Sequence, residues 1–246
     1  MKKKHLVKFI LFVMILGLPL TLNANDLLKQ ADALYEKGDL DGYGEAADLY
    51  LKALEANPDD YELNWKCARA HREYGDEAQE KDVKDWKKIC ARFGKEGMKY
   101  AQRAIELAPD RVEGQYYYGL SVGIYADGVS ILTAIAEGLK GKTQKGFEKA
   151  YELDKHYNDA GPILSLARFW AVLPWPMKDK KKSLAYYREY QKTEHFEGNE
   201  EAYIFLAELL MDMGGKENKT EARILLEKAA KSENSYFKDW AIRLLK

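Results

Sequence analysis

The residues whose types and spacing could do chemistry crowd into one stretch, Gln115 to Gly141. Gly119-Leu120-Ser121-Val122-Gly123 reads as G-x-S-x-G, the pattern that presents a serine nucleophile on a strained strand-to-helix turn. His156 and His195 follow downstream, so a Ser121 hydrolase has its residues in a workable order. Such a turn needs a parallel sheet to hold it, and the chain offers no run of buried strands. The helical reading is cheaper: Gly119 and Gly123 fall four apart on one face and admit a neighbouring helix. Glycine inside a helix costs about 1 kcal/mol relative to alanine, which close packing offsets. Gly141-Lys142-Thr143 ends a phosphate-loop pattern, but Ala136 stands where its first glycine belongs and no strand precedes it. Two cysteines and scattered histidines are too few for a metal centre. The reading is therefore of a protein that is not an enzyme and holds no cofactor.

A binding role fits the same stretch better. Tyr116, Tyr117, Tyr118 and Tyr125 belong to one unit, and Phe169, Trp170 and Trp175 to the next, near Ile131, Leu132 and Ile135. Most such aromatics fill the space between helices. The sharper alternative is an apolar pocket lined by Tyr117, Tyr125, Asp127, Ile131, Ile135, Arg168, Trp170 and Trp175, since ligand sites are mostly apolar with a few polar anchors. Asp127, Ser130 and Arg168 are those anchors, because burying an unpaired carboxylate is expensive. Asp127-Gly128 also reads as a turn between two helices.

The elements that must position these residues are helices throughout, with no alternating strand pattern. Leu49-Tyr50-Leu51-Lys52-Ala53-Leu54-Glu55-Ala56-Asn57-Pro58 returns as Tyr100-Ala101-Gln102-Arg103-Ala104-Ile105-Glu106-Leu107-Ala108-Pro109. It returns again around Ala150 and more faintly around Ala229. The alanine is small because another helix crosses there, and the proline stops the helix. With Ala46, Tyr50, Ala53 and Pro58 at the second-helix positions, and Trp65 and Tyr116 each opening a unit, the pattern resembles the tetratricopeptide repeat family. The intervals from Ala53 to Ala104 and on to Ala150 exceed the usual unit of about 34 residues. The surplus, at Asp76–Arg92 and about Asp127–Leu139, reads as extensions of second helices. The expected fold is all-α: a right-handed tetratricopeptide-like helical-repeat solenoid of about five units, with extended second helices in units two and three. A last helix near Tyr236–Leu245 covers the open end.

The ends and the charge bound the setting. Lys2, Lys3, Lys4 and Lys8 precede an apolar run from Phe9 to Leu18, followed by Leu22-Asn23-Ala24. This is the layout of a secretory signal, giving a signal peptide over residues 1–24 and a repeat domain over 25–246. The expected location is periplasmic, or membrane-tethered if the segment stays uncleaved. Lys and Arg number 39 against 40 Asp and Glu, and removing four lysines leaves the remainder more acidic, so nucleic acid is not a partner. In an oxidising compartment Cys67 and Cys90, carried on helices that fold antiparallel, admit a disulfide or two buried thiols. Lys178, Lys180, Lys181 and Lys182 read as a solvated helix start or a contact for an acidic partner.

A narrower resemblance rests on order. Tyr117-Tyr118-Gly119-Leu120, the uncharged segment to Leu139, Tyr151-Glu152-Leu153-Asp154, Gly161-Pro162 and Leu173-Pro174-Trp175-Pro176 follow one another as in the T-component family of periplasmic TRAP transporters, which this chain resembles. Membership implies an exported scaffold working beside a substrate-binding protein, an apolar cavity for a lipophilic small molecule, and a homo-oligomeric arrangement. Cys at the lipid-attachment position is absent, and Pro176-Met177-Lys178-Asp179 replaces the family's Gly-Gly-Asp. The three function classes are thus a non-enzymatic scaffold for protein-protein interaction, a carrier of a small lipophilic ligand, and the Ser121 hydrolase.

Overall fold

A computed structural model describes residues 23–246. The signal reading of residues 1–24 falls outside them, except that the first helix opens at Ala24 with Asn23 as its cap. The described residues form twelve helices and no strand. They pair in chain order: α1 (Ala24–Tyr35) with α2 (Leu40–Ala56), α3 (Tyr61–Glu80) with α4 (Trp86–Leu107), and α5 (Val112–Gly128) with α7 (Leu139–Asp154). The short α6 (Ile131–Ala136) lies between the last two. Next come α8 (Tyr157–Val172) with α9 (Lys180–Tyr190), and α10 (Glu200–Met213) with α11 (Lys216–Ala229). The final helix, α12 (Ser235–Leu245), covers α10 and α11. This is the expected helical-repeat solenoid of five units and a cap.

Local chemistry starts these helices. Asp39, Asp60, Asp179 and Asn199 each accept a hydrogen bond from a first-turn backbone N–H, at 2.7 to 2.9 Å, satisfying a donor that has no intrahelical partner. The repeat alanines do what their size suggests: Ala53, Ala104, Ala150 and Ala229 are fully buried. The core is a chain of local clusters, as in a stack where each unit packs mainly on its neighbours.

The extra residues of the second unit are shared by α3 and α4, which run to 20 and 22 residues. Asp82 and Asp85 make the turn between them at positive φ, a region aspartate tolerates better than bulkier residues. In the third unit the added length takes the form of α6, ahead of α7. Asp127 and Gly128 are the last turn of α5 rather than a turn between helices.

The tightest crossing joins α4 to α5. A Cβ on Gly94 would collide with the Tyr125 backbone, and one on Gly97 would stand 2.5 Å from Ser121 Oγ. Gly128 faces the Ala91 and Lys87 backbone. Of the two glycines in the G-x-S-x-G pattern, Gly119 lies against Phe147 and Gly146 of α7, whereas Gly123 meets nothing and faces open space. Gly94→Ala is therefore expected to destabilise the fold by about 3 kcal/mol, since backbone cannot yield as a side chain can. Gly123→Ala should be neutral or stabilising. Urea titration of the two variants checks this, and equal loss in both would discredit the crossing.

Candidate functional site

The first helices of units two to five turn charged side chains toward a common inner groove. On α3, Arg69, Arg72, Glu73, Asp76 and Glu80 fall at helical spacing on one face. Arg72 pairs with Glu73 at 2.7 Å and with Asp76 at 3.0 Å. From the later units come Asp127 of α5, Arg168 of α8, and Glu201 and Glu208 of α10. Arg168 pairs with Glu208 at 2.7 Å and stacks over Phe205. Trp240 of the capping helix donates to Glu208 at 3.2 Å, which ties the groove's far wall to α12.

The electrostatics show that these residues share one space. Burial pushes the Glu201 carboxyl from 4.5 up to about 7, with Asp76 adding repulsion and Arg72 and Arg168 opposing it. Burial likewise raises Glu80 to about 7, with Asp76, Glu77 and Glu201 adding to the rise. Asp127 goes to about 6, again through burial first and Asp76 next. It is open to water-sized contact yet walled by protein on most sides, as expected of a group lining a concavity. Burial alone would lower Arg72; Asp76, Glu73 and Glu201 outweigh it and hold the guanidinium firmly charged. The Tyr187 hydroxyl, fully buried beside Arg168, Glu201 and Glu208, has no hydrogen-bond partner. The groove therefore presents carboxylates in excess of arginines, several of them poised near neutrality.

The eight residues expected to line a pocket fall into three settings. Tyr117 and Tyr125 are core: Tyr117 stacks on Trp65 with centroids 5.8 Å apart, and the Tyr125 hydroxyl donates to Glu137 at 3.0 Å. Trp170 is also buried, with Lys182 Nζ 4.0 Å and Lys140 Nζ 5.4 Å from its ring centroid. Asp127 and Arg168 both face the groove, Arg168 paired with Glu208. Ile131, Ile135 and Trp175 lie outside on the molecular surface. Two clefts, of about 340 Å³ and about 520 Å³, are lined mainly by charged and polar groups such as Lys155, His156, Glu189, His195 and Glu201. Arg72, Asp76, Glu80 and Glu201 escaped the sequence reading. For Arg72, Asp76 and Glu80 the one signal was the α3 stripe, which by itself looks like any solvated helix face; Glu201, on α10, had none.

The remaining chemistry resolves into packing. Ser121 is completely buried in mid-helix, and its Oγ has no partner. The strand, turn and histidine of a nucleophile elbow are absent around it. Gly141-Lys142-Thr143 lies within α7, where the Thr143 hydroxyl donates to the Leu139 carbonyl. Cys67 and Cys90 are free, which corrects the disulfide option. The helices are antiparallel, but Cys90 comes level with Gly75, donating to its carbonyl at 3.3 Å. Cys67 lies about 12 Å further along α3 at 1.5 Å per residue, beyond the reach of an S–S bond. Its Sγ is 3.6 Å from His71 Nδ1 instead. In the basic run, Lys178 and Lys180 both pair with Asp212.

A family model described as "Regulator of microtubule dynamics protein 1-3" matches residues 27–169, more than half of the chain. The chain belongs to this family. It is similar to regulator of microtubule dynamics protein 1 of Bos taurus, 31% identical over 154 residues, covering 61% of this chain and 44% of that one. The Mus musculus protein of the same name is 31% identical over 160 residues, covering 63% and 47%. The chain thus spans less than half the length of these relatives. Among solved structures, a thermophilic TPR protein of Thermus thermophilus covers 91% of this chain and 100% of its own, with TM-score 0.65 and 18% identity. MamA protein follows with TM-score 0.53 and 18% identity, covering 86% and 96%. These two show the tetratricopeptide-type fold.

The family match corrects the setting drawn from the first residues. A periplasmic location is overturned, because the relatives are cattle and mouse proteins named for microtubule dynamics, and animal cells have no periplasm. The T-component resemblance finds no counterpart among these matches, and the substrate-binding protein it implied as partner is unsupported with it. What stands is the helical-repeat fold.

Two measurements test this site. The folded pKa values of Glu80 and Glu201 lie above their ordinary value of 4.5. Their contribution to stability is therefore fully present below about pH 4.5 and is lost as pH rises through about 7. Glu80→Gln and Glu201→Gln should each flatten that decline. Each should also raise stability at pH 8 by about 1 kcal/mol after allowance for solvent screening. Urea unfolding at pH 5 and pH 8 reads it, and variants no more stable than the parent at pH 8 would refute a strained acidic groove. Ser121→Ala should keep or raise stability by up to about 1 kcal/mol, because an unpartnered buried hydroxyl is removed. A Ser121-dependent loss of ester cleavage would instead revive the hydrolase.

Proposed function

We propose that the inner groove docks an extended, basic segment of a partner protein, making this chain a scaffold. The observation that carries the proposal is the convergence of Asp76, Glu80, Asp127 and Glu201, from α3, α5 and α10, in a groove that water can enter. Burial raises these carboxyls and their mutual repulsion adds to it, and an incoming lysine or arginine would relieve that repulsion. Arg72 and Arg168, already paired with Glu73, Asp76 and Glu208, would fix the acidic wall in place. A groove lined by carboxylates and arginines suits a charged ligand better than an apolar one, so the carrier reading ranks second.

The relatives' name adds one partner to be tested. Their action on microtubule dynamics comes to this chain only as a further ligand to put to the same groove. A labelled peptide alternating arginine and alanine should bind by fluorescence anisotropy at pH 7.5. Affinity should fall at least tenfold in an Asp76→Asn, Glu201→Gln double variant, and fall again with added salt or below pH 6 as the carboxyls protonate. Equal binding of a glutamate–alanine peptide would sink the proposal. Assembled microtubules go into a parallel co-sedimentation assay; pelleting lost in the double variant would assign the groove to that lattice.

A further inference from the structure

The connection from α7 into α8 is wound the wrong way. Asn158, Asp159 and Ala160 follow one another at φ of 48°, 58° and 58°. Regular helix resumes at Gly161, with Pro162 in its first turn. Asparagine and aspartate tolerate this left-handed region, whereas in alanine the Cβ crowds the following carbonyl. Such a turn persists only where its surroundings impose it. Here Ala160 is fully buried in the core of the last units. A Cβ on Gly161 would stand 2.2 Å from the Tyr116 hydroxyl of α5, and that hydroxyl also reaches Asn158 and Ser165.

The turn joins α1–α7 to α8–α12, and ion pairs tie these two parts on one side alone. In the outer layer of second helices, Tyr151 and Lys155 at the end of α7 both donate to Glu189 of α9, at 2.9 Å. Lys182 of α9 reaches Glu148 of α7 at 3.4 Å, and Phe147 of α7 packs with Leu166, Phe169 and Trp170 of α8. On the groove side the pairs stay within each part: Arg72 with Glu73 and Asp76, and Arg168 with Glu208. Among the described residues no ion pair crosses the groove.

What faces across the groove is mostly repulsive. From the first part come Arg69, Arg72, Glu73, Asp76 and Glu80 of α3, with Glu77 paired to Lys81 beside them, and Asp127 of α5. Opposite stand Arg168 of α8, Glu201 and Glu208 of α10, and Tyr236 of α12 with Arg243 beyond it. Glu201 is repelled by Asp76 and Glu73, and Glu80 by Glu201 in turn. Arg72 acts across the groove on Glu201, and Arg168 on Asp127, but they offset only part of burial and repulsion together.

We propose that the Asn158–Ala160 turn is a hinge on which α8–α12 swing against α1–α7. The groove opens when it is empty and charged, and its walls draw together when a ligand cation or protons neutralise the carboxylates. A few residues that change φ and ψ are enough for such closure. Strain in the turn and repulsion across the groove both favour opening, while the outer ties keep the two parts from separating. Closure by a ligand rests on the basic-segment reading of the groove; closure by protons does not.

The test measures two distances in the full chain by pulsed electron double resonance. Nitroxides on Lys84→Cys, just beyond Glu80, and Asp239→Cys, beside Tyr236, span the groove; a pair on Glu152→Cys and Ala185→Cys spans the outer ties. These four positions are exposed, whereas Cys67 and Cys90 are buried. From pH 8 to pH 5.5 the groove distance should shorten by several ångström while the outer distance holds. Glu80→Gln with Glu201→Gln should give the short distance already at pH 8, without titrating His195, whose Nδ1 lies 3.3 Å from Asp159 in the turn itself. Ala160→Gly, which relieves the Cβ strain, should also shift the groove distance toward the short one at pH 8. A groove distance that is the same at both pH values and in the glutamine pair overturns the proposal, as does an outer distance that changes equally. So does an Ala160→Gly variant altered in stability but not in distance, which would leave the turn a structural feature only. The arginine–alanine peptide should shorten the groove distance at pH 8. A response to pH without one to the peptide supports the hinge and counts against the basic segment as ligand.

Discussion

The structure depends on how closely α4 and α5 approach. Gly94, Gly97 and Gly128 leave no side chain between the two backbones, so Ser121, Tyr125 and Ala91 meet the facing helix directly. Dispersion contacts at this spacing are individually small, but a packed interface forfeits much of them if it opens by even half an ångström. This crossing sets the rotation of α5. Once it is fixed, the face of α5 that carries Asp127 is fixed with it, and the chain leaves α5 one turn later for α6.

The groove and the exposed connections follow from one arrangement. First helices line the inside, so their charged faces are brought together from units that are distant in sequence. The connections within each unit gather at one end of the stack, so whatever those connections carry is displayed side by side. In this chain the first helices carry carboxylates and arginines, and the connections carry aliphatics, tryptophan and charges of both signs. Stacking of the units alone thus fixes which side chains become neighbours.

Much of this could be read from the residues. The repeated alanines are all buried, the surplus in the second unit does lengthen its helices, and the capping helix lies where the last amphipathic stretch placed it. The candidate site residues were only partly legible. Tyr117, Tyr125 and Trp170 proved to be core, Asp127 and Arg168 groove, and Ile131, Ile135 and Trp175 surface. An aromatic in a helix reads the same whether it packs on a neighbour or lines a cavity. The Cys67 and Cys90 contexts look alike, yet two helical turns of offset separate them. The setting was misjudged for a different reason: a short basic and apolar stretch fits several settings, and the relatives do not match a periplasmic one.

By itself the sequence determined the helices, their pairing and the number of units. Helix formation and the small-residue crossing are local and recur in each unit, so one stretch carries the information for its own unit. Tertiary structure alone decided which face of each helix is inside and which charges become neighbours. Those outcomes rest on the rotation of each helix about its axis and on stacking that brings Asp76 to Glu201. A periodicity that repeats along one chain holds no record of distances between units.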